Sequence, residues 1–319
     1  MNLRDKKILI IGGNGLLGKP LQELLTSKGI SFYAPRSQDM NVLDSQHIEK
    51  TFREYGPDIV FNLFVSFGGI IANARHPGKI FYDNLIGNVN VVGACVGHSV
   101  KKLIQVGTQC SYADTATPPF MEDKLWDGYP TENNAPYGIA KRAIHTMIDS
   151  YRKEYGLNGI YLIPSNMYGP YDNFHPEHTH VIPALIRRFI DAKEKNLDSV
   201  EIWGTGYATR EFLYNYDCAN ALIDAAEQYD SSDPVNLGSG KEVTIRELVS
   251  VIQELVGYEG NVWYNNNGLD GQARRLNSIE RAKNAFGFEP RISLRDGLIR
   301  TINYYKLNRD KLRETKIYE

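Results

Sequence analysis

Tyr137 and Lys141 stand four residues apart in a stretch whose pattern predicts a helix. Side chains at that spacing are neighbours on one helical face. A nearby ammonium lowers the pKa of a phenol from its ordinary value of about 10, so that proton exchange with a carbonyl oxygen becomes practical near neutral pH. Thr108 follows a predicted strand, where its hydroxyl can hold the same oxygen. Together these residue types indicate proton transfer at a ketone or an alcohol.

A glycine-rich loop directly precedes the first predicted helix. Gly12, Gly15 and Gly18 follow the apolar run at 8–11 with the spacing Gly-x-x-Gly-x-x-Gly. The first glycine allows a tight turn, the second lets the backbone approach a pyrophosphate at the helix N-terminus, and the third lets the helix pack closely on the sheet. A turn without a ligand is the alternative, but the position between a strand and a helix favours a dinucleotide. The cofactor contacts predicted in this loop are Gly12, Asn14, Gly15, Leu16, Leu17 and Gly18.

The end of the second predicted strand bears on the choice between NAD and NADP. An acidic residue there would bind the ribose 2′-hydroxyl, but the segment holds Arg36 and no acid. A guanidinium can pair with a 2′-phosphate, so NADP(H) is favoured, with a solvated loop arginine as the alternative. Asp44 can accept a hydrogen bond from the adenine amino group or can cap the helix that follows it.

Strands alternate with helices through the first half of the chain, which predicts a parallel α/β sheet of the doubly wound Rossmann type. We expect an NADP-binding domain over 1–164, with segments near 211–240 returning to it, and a smaller, mainly substrate-binding α/β region over 165–319. The predicted strands are 8–11, 30–34, 58–64, 103–106, 159–163 and 200–203, and the predicted helices are 16–28, 45–55, 79–98, 136–155, 181–192, 217–227 and 244–256.

Composition narrows the class of protein. The net charge of the 319-residue chain is -2, which gives no reason to expect nucleic acid or an anionic membrane as partner. Three widely spaced cysteines argue against a disulfide framework and for a reducing compartment. No apolar run approaches the roughly 18 residues of a membrane span, and the first residues do not resemble a signal peptide. We therefore expect a cytoplasmic protein.

A nearly neutral chain must meet the charge of a phosphate-bearing ligand locally. A guanidinium fork fits phosphate oxygens, and Arg188, Arg210 and Arg275 all lie in the half expected to bind substrate. Trp203 can stack on a nucleotide base. Each arginine alone would more often be a surface charge, so the prediction depends on the set.

These features, in this chain order, resemble the GDP-L-fucose synthase family of extended short-chain dehydrogenases/reductases, nearly end to end. The family joins 3,5-epimerisation and 4-reduction of GDP-4-keto-6-deoxy-D-mannose with NADPH. The resemblance also implies a homodimer through the helices near 80–98 and 136–155. The segments that carry it are 67–70, Cys110, 136–141, 166–170, 172–174, 180–185, 203–206 and 210–213.

The resemblance implies a role for each site residue. A carbonyl acidifies the hydrogens on the carbons beside it, so epimerisation needs a base and an acid on opposite faces of the sugar. Cys110 is implied as the base and His180 as the acid, while Thr108 and Tyr137 hold the enolate oxygen. Lys141, Asn166 and His180 are also implied to contact the cofactor. The implied substrate-binding residues are Asn166, Asn173, Arg188, Trp203, Arg210 and Arg275.

Other interpretations remain open. Cys110 can be a small buried apolar residue, and His175, His178 and His180 can be a zinc site, although they lack a typical partner. Gln109 and Cys110 stand where dehydratases of this fold carry an acid pair, which argues against elimination. A C4 reductase or epimerase of another nucleotide sugar, for example a GDP-heptose, is the first alternative function. A non-catalytic dinucleotide-binding sensor is the second.

Overall fold

The computed structural model describes residues 1–66, 73, 75–175, 179–265 and 272–312. The segment 67–70 and His178, both named above, lie outside the described residues. Among the described helices, none has the length and apolar character of a membrane-crossing segment.

The centre of the fold is a six-stranded sheet in which every pairing is parallel. Its strands lie in the spatial order β2-β1-β3-β4-β5-β9. The order steps outward in both directions from β1, so the crevice at the carboxyl ends of the strands is where ligands bind in such sheets. The bounds are β1 Ile8–Ile11, β2 Phe32–Tyr33, β3 Ile59–Asn62, β4 Lys102–Val106, β5 Gly159–Pro164 and β9 Val235–Leu237.

Helices cover both faces of this sheet, which explains why its strands are continuously apolar. In β1, Ile8 and Ile10 enter one core cluster while Leu9 and Ile11 enter the other. The first cluster lies under α1 (Gly18–Ser27), α6 (Asn215–Gln228) and α8 (Glu280–Phe286). The second lies under α2 (Ser45–Tyr55), α3 (Pro77–Gly97) and α4 (Ala135–Tyr155).

A smaller α/β region packs beside the carboxyl edge of the main sheet. It contains a three-stranded sheet in the order β10-β8-β6 and a parallel pair of β11 and β7. Its own core brings together α5 (Val181–Glu194), α7 (Ile245–Val256) and α9 (Leu294–Asn308). The remaining strands are β6 Asn166–Tyr168, β7 Ser199–Trp203, β8 Thr209–Tyr214, β10 Glu242–Thr244 and β11 Asn261–Asn265.

The predicted fold class is confirmed, and most predicted elements are found with shifts of one to three residues at their ends. The first helix begins at Gly18, two residues later than predicted, because the glycine loop continues to Leu17. Strand β9 and helix α6 join the main sheet although both follow residue 165.

Candidate active site

The turn after β4 carries two of the predicted catalytic side chains. A short 3-10 helix, Gln109–Ser111, begins directly after Thr108. The Thr108 hydroxyl oxygen accepts a hydrogen bond from the backbone N–H of Cys110 at 3.1 Å. This hydrogen bond caps the turn. It holds Thr108 and Cys110 next to each other at the carboxyl end of β4.

Helix α4 packs closely against this turn at Gly138. A Cβ atom on Gly138 would lie 2.4 Å from the carbonyl oxygen of Cys110, so no larger residue fits without movement. The Ser111 hydroxyl donates to the Gly138 carbonyl at 3.1 Å. The close approach places Tyr137, the residue before Gly138, against Thr108.

Tyr137 is buried and hydrogen-bonded to the Thr108 side chain. Burial raises the pKa of its phenol above the ordinary value, Cys110 raises it further, and the bond to Thr108 opposes both. We expected a nearby cation to lower this pKa, but in this structure the pKa is raised, and burial is the largest cause. The phenol therefore stays protonated at neutral pH and is ready to donate its proton.

Lys141 lies one helical turn from Tyr137 and is also buried. Its ammonium donates to the backbone carbonyls of Phe64 at 2.9 Å and Val106 at 3.0 Å. Burial lowers the pKa of Lys141 to about 7. These two hydrogen bonds hold the Lys141 ammonium at the carboxyl ends of β3 and β4.

Cys110 differs from the other cysteines in its surroundings. It is half-buried, whereas Cys95 and Cys218 are completely buried and burial raises the pKa of both thiols. The Arg275 guanidinium contacts the Cys110 sulfur, with Nη1 at 4.0 Å, and donates to the Gln109 carbonyl at 3.3 Å. Arg275 was predicted to bind a diphosphate, and the structure puts it beside the thiol.

His180 directly precedes helix α5 and is open to solvent. Desolvation by the surrounding protein nevertheless lowers the pKa of its imidazole. Upstream, the Asn173 side chain accepts from the His175 N–H at 3.0 Å, and the Asn173 carbonyl accepts from the Thr179 hydroxyl. In the part of the chain that the structure describes, no three His, Cys, Asp or Glu side chains form a metal-binding group.

The glycine loop has the geometry that a dinucleotide pyrophosphate needs. Gly12 has φ 79°, and a Cβ there would lie 3.0 Å from the Leu63 carbonyl carbon. A Cβ on Gly18 would lie 2.5 Å from the Gly12 carbonyl oxygen, so the start of α1 packs directly on the loop. Gly12 and Gly15 are exposed, which leaves their backbone open beside the positive end of the helix.

The other predicted cofactor contacts surround this loop. Asn14 and Leu16 are half-buried and Leu17 is buried. Arg36 is exposed just beyond β2. Asp44 is the N-cap of α2 and accepts from the Gln46 N–H at 2.9 Å, so the capping alternative describes what it does in this structure, while an adenine contact stays a prediction.

The predicted substrate residues lie on the smaller region. Arg188 on α5 donates to the Glu201 carbonyl at 2.6 Å, and its guanidinium lies 5.6 Å from the ring centre of Trp203. Both line a cleft of about 410 Å³ together with Glu201, and Trp203 is 65% exposed. Asn166 and Arg210 are bound to backbone carbonyls nearer the main sheet, those of Glu211 at 3.1 Å and Gln272 at 2.7 Å.

Sequence reasoning missed two groups of residues at this site. Glu201 shares one face of β7 with Trp203 because side chains alternate along a strand, and that spacing was the available signal. The buried side chains that surround the Phe64 and Val106 carbonyls gave no signal, because nothing in the sequence shows that these carbonyls hold Lys141.

Comparison with known proteins shows the family to which this chain belongs. The pattern of the NAD dependent epimerase/dehydratase family matches residues 8–238, and GDP-L-fucose synthase 1 of Arabidopsis thaliana is 36% identical over 97% of this chain and 95% of its own length. The chain belongs to the NAD dependent epimerase/dehydratase family, in its GDP-L-fucose synthase branch.

Two solved structures resemble the fold closely. The GDP-6-OMe-4-keto-L-xylo-heptose reductase of C. jejuni has a TM-score of 0.90 and 29% identity, and the alignment covers 97% of this chain and 99% of the reductase. A GDP-L-fucose synthetase from Naegleria fowleri, bound to NADP, has a TM-score of 0.90 and 25% identity, with 98% of both chains covered. The similar structures therefore include both an enzyme named for fucose and one named for a heptose.

Proposed function

We propose that this chain catalyses NADPH-dependent 3,5-epimerisation and 4-reduction of a GDP-4-keto-6-deoxyhexose, as in the synthesis of GDP-L-fucose. The observation that carries the proposal is the hydrogen-bonded pair of Thr108 and Tyr137 with Cys110 on the same turn. One ketone oxygen held by that pair activates both its own carbon and the C–H bonds beside it.

The residues around the glycine loop fit a phosphorylated dinucleotide. The exposed backbone of Gly12 and Gly15 would hold the pyrophosphate and Arg36 the 2′-phosphate, with Lys141 and Asn166 nearer the nicotinamide end. When bound, NADPH supplies a hydride to C4 of the sugar.

Reduction needs a proton as well as a hydride. Tyr137 donates its phenolic proton to O4 as the carbonyl becomes an alcohol, and Thr108 keeps that oxygen in place. The ammonium of Lys141 stabilises the phenolate that remains. Solvent then returns the proton to Tyr137.

Epimerisation uses the same oxygen without a change in oxidation state. The Cys110 thiolate removes a proton from C3 or C5, and the electron pair moves onto O4, where Thr108 and Tyr137 donate hydrogen bonds to it. His180 delivers a proton to the opposite face of the carbon. The lowered pKa of His180 makes its protonated form a strong enough acid for this step.

The cleft beside Trp203 suits a guanine base. Guanine presents N–H donors on one edge and acceptors on another, and the Glu201 carboxylate and Arg188 guanidinium complement these two edges. Trp203 offers a face for stacking. Asn265 donates to the Glu201 carboxylate at 2.5 Å and orients it.

Glu201→Gln should therefore weaken GDP binding more than UDP binding in calorimetric titrations. Equal losses of affinity for the two nucleotides would contradict recognition of guanine at this cleft.

We also propose a homodimer through α3 and α4, and a cytoplasmic location. The two helices pack on each other on one face of the sheet, and α3 presents the exposed aromatic rings of Phe81 and Tyr82. Light scattering tests the dimer, and a monomer at micromolar concentration would rule it out.

The product of GDP-4-keto-6-deoxy-D-mannose and NADPH in deuterated water tests the main proposal. We expect deuterium at C3 and C5 and an L-configured 4-hydroxy product by NMR. Cys110→Ala should abolish the deuterium incorporation but leave NADPH oxidation measurable. Tyr137→Phe should abolish the oxidation.

The second candidate is a C4 reductase of a GDP-heptose. The similarity to the C. jejuni reductase favours it. If Cys110→Ala leaves the product unchanged, this candidate replaces the first.

A further inference from the structure

Four buried residues with amide side chains form a hydrogen-bonded network beside the peptide segments that hold Lys141; three join through their side chains and Asn84 joins through its backbone carbonyl. Asn62, Asn84, Asn88 and Gln105 are each 0% exposed. The Asn62 amide donates to Asn88 at 2.9 Å and to Gln105 at 2.8 Å, and the Gln105 amide donates to Asn88 at 3.0 Å. Asn88 then donates to the backbone carbonyl of Asn84 at 2.6 Å. We call these four residues the amide network.

The amide network contacts both peptide segments that hold Lys141. The Asn62 side-chain oxygen accepts from the Phe64 N–H at 3.3 Å, and Gln105 donates to the Val106 carbonyl at 3.0 Å. Those same residues supply the two carbonyls that accept from the Lys141 ammonium. Asn84 fixes the next part of the loop, because its side chain accepts from the Ser66 N–H and donates to the Ser66 carbonyl.

Burial makes the orientation of these carbonyls important. Lys141 is 1% exposed, and the described bonds of its ammonium go to neutral carbonyls rather than to a carboxylate. An ammonium has three N–H donors, so two carbonyls in fixed positions also determine where the third N–H points. Phe64 lies in a loop without strand pairing, and its carbonyl direction therefore depends on what holds that loop.

We propose that the amide network positions the Lys141 ammonium by fixing the Phe64 and Val106 carbonyls, and that Asn62 and Gln105 are therefore positioning residues for the reaction. This rests on the proposed function, in which Lys141 stabilises the Tyr137 phenolate. The network uses amides because each carries both a donor and an acceptor, so that the direction of every bond is set.

A double-mutant cycle tests the coupling. Gln105→Leu removes the donor to the Val106 carbonyl at similar volume and should lower kcat for NADPH oxidation about tenfold, while the KM for the sugar nucleotide changes little. In a Lys141→Met background the same substitution should have no further effect, because the group through which it acts is gone. An equal fall of kcat in both backgrounds would overturn the proposal.

A measurement on the cofactor-free protein separates this proposal from the proposed function. NMR of protein labelled at the lysine ε-carbon, with Lys141 assigned through Lys141→Met, follows its titration without any turnover. In wild type the midpoint should lie near the pKa of about 7 that burial gives it. Gln105→Leu should lower the midpoint, because the charged form loses a fixed acceptor. An unchanged midpoint refutes the positioning role even if the enzyme is active, and a lowered midpoint supports it even if the substrate is different.

Two further variants guard against general destabilisation. Asn236 is an equally buried amide in the same sheet, but it bonds to Tyr112 and Phe120 instead. Asn236→Leu should lower the melting temperature without moving the Lys141 midpoint; if it moves the midpoint as much as Gln105→Leu does, the effect of Gln105→Leu is not specific.

Should Gln105→Leu fail to fold, Gln105→Glu keeps an acceptor for Asn62 but, once ionised, cannot donate to Val106. Its kcat relative to wild type should then recover as the pH falls, and a constant ratio would contradict the proposal.

Discussion

At the scale of single residues, burial decides the protonation of the proposed catalytic groups. It raises the pKa of Tyr137 and lowers that of Lys141 to about 7, so both neutral forms are favoured relative to the unfolded chain. At neutral pH the Tyr137 phenol is therefore protonated and can donate its proton. A bound anion beside Lys141 would favour its charged form, so the site is tuned further by its ligand.

Asp172 gives a test of the same effect through stability. It is buried, one carboxylate oxygen has no hydrogen-bond partner among the described residues, and burial raises its pKa from 3.8 to about 7. Between these values the folded state binds more protons than the unfolded state, so the free energy of unfolding falls as the pH rises, by up to about 1.4 kcal/mol per pH unit for one proton.

Asp172→Asn should remove that contribution. We expect the plot of unfolding free energy against pH, from urea denaturation between pH 4.5 and 7, to become flatter by about one proton. Part of the slope should remain, because burial also raises the pKa of Glu211 to about 7. An unchanged slope in Asp172→Asn would show that the carboxyl is ionised in the folded protein.

At the scale of elements, the contact between α4 and the 3-10 turn brings Tyr137 to Thr108 and Cys110. That contact depends on Gly138, because its hydrogen faces the Cys110 carbonyl at a distance that a methyl group cannot occupy. The helix was predicted from local sequence, but its separation from the turn is set by this one residue.

Gly138→Ala should push the turn away from α4. We expect a loss of about 1–3 kcal/mol in stability from overpacking and a larger loss of activity than the stability change explains. Gly93 on α3 is the matched control, since a Cβ there would meet no described atom within 4 Å outside its chain neighbours and the nearby backbone of its own helix. Gly93→Ala should be neutral or stabilise by up to about 1 kcal/mol, because alanine favours a helix. Similar activity in both variants, by NADPH oxidation, would contradict the role of Gly138.

At the scale of the whole molecule, the cofactor loop and the smaller region are joined by a buried amide. The Asn215 side chain donates to the Leu16 carbonyl at 2.8 Å and to the Pro170 carbonyl at 2.7 Å, and the residue is 0% exposed. Leu16 belongs to the glycine loop, and Pro170 precedes the segment that leads to His180. Both sides of the proposed site are therefore tied to the start of α6.

Asn215→Leu should weaken this connection. Two half-buried carbonyls would lose their donor, at a cost of about 1–3 kcal/mol, and the KM for NADPH should rise because the loop is less constrained. Among the described residues, the Asn220 side chain on the same helix donates within α6, to the Tyr216 carbonyl at 3.0 Å. Asn220→Leu should leave the KM for NADPH unchanged, and a rise in the control alone would refute the connection.

The sequence by itself predicted the sheet and the glycine loop, and it named the candidate reactive side chains, whose roles stay predictions. These follow from local patterns: apolar runs that fit strands buried on both faces, glycines where a helix meets a phosphate, and a phenol and an ammonium on one helical face. The Asp44 cap and the Ser45–Tyr55 helix were also readable from residues close in sequence.

The tertiary structure alone decided what surrounds those side chains. Arg275 lies against Cys110, Phe64 accepts from Lys141, and Asn215 joins two loops, and each contact links residues far apart in the chain. Packing brings such partners together, and burial then shifts the pKa values of the groups among them. Neither the contacts nor the pKa shifts can be predicted from residue spacing or composition.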